Sequence, residues 1–360
     1  MIRFVVPEDG RFGIENYQRS RWRSVASVET ATVSFDELFE SQTLAGGTWV
    51  FSSIECLTPA GVRLAQHAWS TLTAAGSRVL NRPDALPDRL GLSQRLFDAG
   101  INQFRTHRAD RLPSDVRYPV FVREADSHTG NLSPLLDNRR QLEGALRWQN
   151  LHGRPPHSLL VVEFCDTSDT TGLFRKYSAF YVAGTVVARH LHFDRKWMVK
   201  AHAPDPLDAW SDEEYRYIRD NPHAAEVARI FEIAGIDYGR IDYGLLGERV
   251  QVWEINTNPT FGPGPHGRSS DAASQRFRDL QAPGKRLFYD RFEECLSAID
   301  SVSGAEVIPF TPPPQDLLAY AKERREHARI EARVRRRAAL ASHLPLGLIH
   351  RARSLVTRGD

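Results

Sequence analysis

The chain has 360 residues, 41% hydrophobic and 10% aromatic, enough for a sizeable core, and its formal net charge is only +2. No run nears the roughly 18 apolar residues that span a bilayer. The start, Met1 to Pro7, lacks the charged-then-apolar layout of a signal peptide, so the expectation is a cytoplasmic protein.

Residues 1 to about 45 show little periodicity. Gly47 to Ser52 then reads as a strand, Thr58 to Ala75 as a helix and Arg78 to Leu80 as a short strand, a β-α-β start. A second helix fits Asp88 to Ala99 with Gly100 as its stop. Arg117 to Arg123 is a predicted strand, Ser127 to Asn131 a small-residue loop, Asp137 to Asn150 a helix and Ser158 to Phe164 a buried strand. Two β-rich runs, Phe174 to Ala183 and Thr185 to Phe193, turn at Ala183-Gly184, and a helix from Pro222 to Ala234 ends at Gly235. Strands alternate with helices early and pair antiparallel later, which predicts an α/β protein of mixed α+β lobes. Leu112-Pro113 and the Pro-rich Pro309 to Pro314 are the candidate boundaries, and beyond them Asp316 to Leu340 reads as a charged helix.

Chemistry concentrates in a hairpin, Gly239 to Leu245 and Arg249 to Asn256, turned around Gly247. Alternation puts Arg240 and Asp242 on one face with Glu254 and Asn256, and a reversal near Glu248 sets Asp242 about opposite Glu254. Facing carboxylates repel by a few tenths to about 1 kcal/mol, which a cation removes. Only hard oxygen donors are on offer, which suits Mg2+ completed by nucleotide phosphates and argues against zinc or copper. Ile241, Tyr243, Leu245, Trp253 and Ile255 on the other face imply packing into a sheet. The exit, Asn256-Thr257-Asn258-Pro259 with Gly262, Gly264 and Gly267 beyond, is a turn-rich loop where backbone can approach a ligand.

The order of these pieces resembles the ATP-grasp superfamily over about Val79 to Asp300. Arg240-Ile-Asp242 with Glu254-Ile-Asn256-Thr-Asn258-Pro259 is similar to its metal-binding hairpin. Leu159 to Cys165 is similar to the strand leading into the adenine hinge, and Pro119 to Arg123 to the phosphate-contacting strand of the first lobe. The resemblance implies a Rossmann-like pre-grasp domain at 1–112, an N-terminal lobe at 113–165, a C-terminal lobe with the metal hairpin at 166–308, a linker at 309–315 and a basic helical tail at 316–360. It implies ATP and Mg2+, or Mn2+, as cofactors, with Asp242, Glu254 and Asn256 as metal ligands. Arg240 and Arg175 would act on the transferring phosphoryl. Arg123, Glu163, Phe164, Cys165 and Lys176 would bind nucleotide, and Arg189 and Asn258 substrate. The implied reaction is carbon–nitrogen ligation. A small-molecule, peptide or sugar-acid carboxylate becomes an acyl phosphate that an amine attacks; the alternatives are phosphoryl transfer to a hydroxyl or a weakened nucleotide-binding protein.

Two departures from the family pattern are visible. Arg123 stands where a lysine is usual, and the loop to Asn131 holds one glycine where several are common; only five of the 47 basic residues are lysine, so arginine replacing lysine is in character. Arg175 and Lys176 are adjacent, so on a strand at most one faces a given cleft. His128 and His190 read as structural histidines, and Trp197, Trp210 and Trp253 as packing. Cys56, Cys165 and Cys295 match no metal or redox spacing and read as buried thiols. Residues 316–360 carry eleven Lys or Arg against five Asp or Glu. Lys322 to Arg337 could meet an anionic surface or nucleic acid, but interleaved Glu323, Glu326 and Glu331 favour a solvated helix. Specificity loops are expected at Pro204 to Asp212 and Phe261 to Gln275.

Overall fold

Five residues that the periodicity passes over, Ile2–Val6 (β1), form an inner strand of a four-stranded parallel sheet in the computed structural model, which describes residues 1–24, 26–126, 130–199, 207–261, 276, 278–301 and 306–342. Phe4, Val5 and Val6 are buried, as expected of a parallel strand covered on both faces, and this is why no alternation showed. Phe12–Gln18 (α1), Thr30–Ser34 (β2), Phe35–Glu40 (α2), Thr43–Ala45 (β3), Thr48–Phe51 (β4), Pro59–Ala74 (α3) and Arg78–Leu80 (β5) follow, and the parallel sheet has the order β2-β1-β4-β5. Ser34 and Glu37 close a reciprocal capping box on α2, and Thr58 caps α3 ahead of Pro59.

Contacts divide the chain into two units, residues 1–86 with 167–319 and residues 87–166 with 320–360. The second contains Arg89–Asp98 (α4), Thr106–Arg108 (β6), Val120–Glu124 (β7), Arg139–Leu151 (α5) and Leu159–Glu163 (β8), with an antiparallel sheet β6-β8-β7. Because β6 pairs with β8, this sheet reaches upstream of Leu112-Pro113. Val120, Val122, Leu136, Leu142, Leu159 and Val161 form its core.

In the first unit, Phe174–Val182 (β9), Thr185–Asp194 (β10), Tyr238–Leu246 (β11) and Arg249–Asn256 (β12) build an antiparallel sheet of order β10-β9-β11-β12. Leu207–Asp220 (α6) and Ala224–Ala234 (α7) precede the hairpin; α7 ends at Gly235, whose φ of 70° is the left-handed stop the sequence predicts. Ala282–Ile299 (α8) packs against β10 and α6. Tyr17, Phe180, Phe261, Phe288 and Phe292 pack together where α1, β9 and α8 meet. Val307–Pro309 (β13) pairs with β3, and Pro314–Ser342 (α9) is the charged helix. Among the described residues no helix is long and apolar enough to cross a membrane.

Asn81 ties the parallel sheet to the hairpin. Its Nδ2 donates to Phe51 O and Tyr238 O, and its Oδ1 accepts from Asp237 N and Tyr238 N, all at 2.9 Å, with φ at 64°. Asparagine tolerates that left-handed backbone better than a β-branched residue does. Asn81→Ala would leave these buried peptide groups unpaired and is expected to cost about 3 kcal/mol. Urea denaturation checks this, and a loss within the error of extrapolation would show that water replaces the amide.

Candidate active site

Four strands place one residue each in a transverse row: His190 on β10 pairs with Ser178 on β9, Ser178 with Asp242 on β11, and Asp242 with Glu254 on β12. The expected facing of Asp242 and Glu254 is present, and Arg240 faces Asn256. A bulge follows, since Tyr243 pairs with Val252 and Trp253 is the extra residue. The hairpin turns at Gly247, whose φ is 62°. Directly opposed residues have Cβ atoms about 4.5–5.5 Å apart, close enough for two carboxylates to share one cation.

Asp242 is 6% exposed and held from three sides: Ser178 Oγ donates to Oδ1 at 2.8 Å, Lys176 Nζ to Oδ2 at 3.3 Å and Arg240 Nε to Oδ1 at 3.3 Å. Burial alone would push its carboxyl up, but Arg240, Lys176 and Ser178 outweigh it and hold the group below the usual carboxylate range. The site therefore keeps an ionised oxygen donor at neutral pH. Glu254 and Asn256 are half-buried, and Asn256 Oδ1 accepts from Asn258 N at 2.8 Å. Among the described residues no three His, Cys, Asp or Glu side chains gather around a metal position. Two carboxylates and an amide are a sparse hard-oxygen set, fitting Mg2+ whose remaining ligands are water and phosphate.

The exit loop is pegged to the parallel sheet. Ser53 N donates to Thr257 Oγ1 at 2.8 Å and Asn258 Nδ2 to Gly10 O at 3.0 Å. Ser53 follows β4 and Gly10 follows β1, the two strands between which the order reverses, where open α/β sheets usually receive a ligand. Here the chain's own Thr257 and Asn258 occupy that position. A Cβ on Gly10 would come within 2.7 Å of Asn258 Nδ2, and one on Gly13 within 2.9 Å of Asn258 Oδ1, so both glycines make room for the peg. The Asn258 side chain is thus engaged with backbone of the first segment.

Arg175 and Lys176 part as adjacent strand residues must. Lys176 reaches Asp242, whereas Arg175 bonds Asp169 Oδ2 at 2.6 Å and Glu213 Oε1 at 2.7 Å. Glu163, at the end of β8, is 2% exposed, and its carboxylate takes Arg105 Nη2 and Arg117 Nη2, each at 2.7 Å. Phe164 N, next in the chain, donates to Pro119 O at 2.9 Å. Burial followed by the Asp166 charge pushes the Cys165 thiol up to about 11, so it is a thiol and not a thiolate near neutrality. Arg123 lies half-buried on β7 opposite Leu160. Ser127, His128, Gly262, Gly264, Gly267, the segments 200–206 and 262–275 and the tail beyond 342 lie outside the described residues.

No family model and no curated protein matches the chain. Solved structures do. A RimK domain protein ATP-grasp from Sphaerobacter thermophilus aligns at 17% identity over 80% of this chain and 98% of its own, with a TM-score of 0.41. D-alanine--D-alanine ligase from Bacillus anthracis, complexed with ATP, aligns at 12% over 82% and 97%, TM-score 0.42. L-amino acid ligase from Bacillus licheniformis aligns at 13% over 80% and 73%, TM-score 0.39. The chain is similar to ATP-grasp proteins.

Two residues of this row escape a reading of ATP-grasp motifs. Ser178, the shortest contact to Asp242, is a single serine in an apolar strand and becomes visible only through the register of β9 on β11. His190 stacks on His192 with centroids 4.1 Å apart, and its buried Nε2 has no hydrogen-bond partner among the described residues. Burial, then His192, Arg240, Arg189 and Lys176, lower its pKa well below the ordinary value, so the imidazole is neutral.

Proposed function

We propose that the chain is an ATP-grasp ligase. It transfers the γ-phosphoryl of ATP to a carboxylate and lets an amine displace phosphate from the acyl phosphate, giving a carbon–nitrogen bond, ADP and phosphate. The observation that carries this is the pair Asp242 and Glu254 facing each other across the hairpin, one of them ionised in a buried setting beside Arg240 and Lys176. Asp242, Glu254 and Asn256 would hold Mg2+, or Mn2+, which supplies charge neutralisation on the triphosphate. Arg240 and Lys176 are fixed cations that stabilise negative charge developing on phosphoryl oxygens without reorganising. Ser178 keeps the Asp242 carboxylate oriented. Contacts of Arg123 with phosphate, of Glu163, Phe164 and Cys165 with adenine, and of Arg175, Arg189 and Asn258 with phosphoryl or substrate, belong to the same proposal.

Hydroxylamine trapping tests the intermediate. With ATP, Mg2+ and a panel of amino acids, peptides and sugar acids, ADP release accompanied by a hydroxamate is expected, because hydroxylamine intercepts an acyl phosphate. ADP release with a phosphorylated hydroxyl and no hydroxamate would make the chain a kinase, and no ADP with any acceptor would overturn the proposal.

A further inference from the structure

Arg240 and Arg189 donate to consecutive carbonyls of the hairpin exit, Arg240 Nη1 to Thr260 O at 3.2 Å and Arg189 Nη2 to Phe261 O at 3.3 Å. Phe180 pairs with Arg240 in the ladder and packs on Phe288 at 5.3 Å between centroids, while the Arg189 guanidinium lies 4.4 Å over the same Phe288 ring. Lys285 precedes Phe288 by three residues on α8 and so emerges on the same helix face. Arg240 and Arg189 thus share the hairpin exit, and Arg189 lies on a ring one helical turn from Lys285.

Arg240 is paired with Asp242, but among the described residues Arg189 and Lys285 have no ion pair. Glu214, 4% exposed, is the acid that both Arg189 and Lys285 sense, and both its oxygens are engaged, Oε1 by Leu191 N at 3.3 Å and Oε2 by Gln281 Nε2 at 2.9 Å. Among the described residues the Lys285 ammonium makes no hydrogen bond or ion pair, and the Arg189 guanidinium makes no hydrogen bond except that to Phe261 O. Burial, then the like charge of Arg189, brings the Lys285 ammonium down to about 8, with Arg21 and Arg278 adding to the repulsion. Half-buried like charges held together are costly unless an anion joins them.

We propose that Arg189 and Lys285, beside Arg240, form a subsite for an anionic group of the substrate, a carboxylate or phosphate separate from the carboxylate being activated. The word substrate rests on the ligase reading, whereas anion binding does not. The site selects acids with a second negative group, such as a dicarboxylic or phosphorylated acid. Arginine offers a planar fork to the oxygens and Lys285 a point charge, so together they neutralise a dianion that either alone would leave half-compensated.

The test uses the full chain without nucleotide, so failure of ATP turnover and failure of this subsite are separable. Reductive 13C-methylation labels the five lysines and the N-terminus, and the Lys285 signal is the one absent from Lys285→Arg. In anion-free buffer its titration midpoint is expected near 8, rising when inorganic phosphate or succinate is added and not with chloride. By isothermal titration, Lys285→Met and Arg189→Met are each expected to weaken that binding at least tenfold. Phosphate acting without succinate identifies a phosphorylated substrate, and succinate without phosphate a dicarboxylate. A Lys285 signal unmoved by either anion, or equal affinity in folded variants and wild type, overturns the subsite.

Discussion

Glu254→Gln is expected to lower ATP-dependent ADP release by about 10²–10³-fold while leaving the fold intact. Glu254 is half-buried at the open side of the row, and glutamine keeps its shape while removing the charge that faces Asp242. Asp242→Asn should abolish release as well, but for a mixed reason. The Asp242 carboxylate is the shared counter-ion of Lys176 and Arg240, whose side chains are 20% and 14% exposed, so neutralising it strands two cations and costs about 3 kcal/mol of stability besides the lost ligand. The two variants together separate chemistry from folding. ADP release at wild-type rate from Glu254→Gln, with its circular dichroism unchanged, would remove the facing carboxylates from the reaction and with them the basis of the ligase proposal.

What could be read of this site in the letters alone was whatever depends on a single strand or a single turn. The faces of Arg240 and Asp242, and of Glu254 and Asn256, follow from the pleat, but the tight turn at Gly247 alone would set Asp242 opposite Trp253; the one-residue bulge there shifts the register and brings Asp242 opposite Glu254. What depends on a distant neighbour stayed hidden. Ser178 reaches Asp242 across 64 residues of sequence, and Arg175 finds Asp169 and Glu213 on the face away from Lys176. Asn258, a substrate contact by resemblance, meets Gly10 across 248 residues, and no local rule couples them. The helix α8 was legible in principle. Phe288, Tyr289, Phe292, Leu296 and Ile299 recur at helical spacing and are all buried, but the Gly- and Pro-rich stretch ahead of them draws the reading toward a loop. Lys285 reads as one more solvated cation until Arg189 is seen on the ring three residues later.

In the second unit the largest expected effect belongs to Glu163. Its carboxylate receives the backbone N–H groups of Arg105 and Arg117 at 3.0 Å each, both guanidinium groups and, at 3.4 Å, His107 Nε2. Burial raises its pKa, but the bonds from His107, Arg105 and Arg117 more than reverse this and hold it far below the carboxylate range. Glu163→Gln leaves the Arg105 guanidinium, 22% exposed, with Asp115 alone, whereas Arg117, 55% exposed, can turn to water. The expected loss is therefore about 3 kcal/mol, the lower end for a broken buried pair. The sign of its pH dependence follows from the depressed folded value. The contribution is complete above the unfolded carboxyl pKa of about 4.3 and is lost as pH falls toward the folded one. Urea denaturation should accordingly show the gap between wild type and Glu163→Gln shrinking by about 1 kcal/mol from pH 6 to pH 3.5. A gap that stays constant over that range would trace the loss to packing of the amide and not to the charge, and would take from Glu163 its role as the electrostatic anchor at the end of β8, just ahead of Phe164 and Cys165.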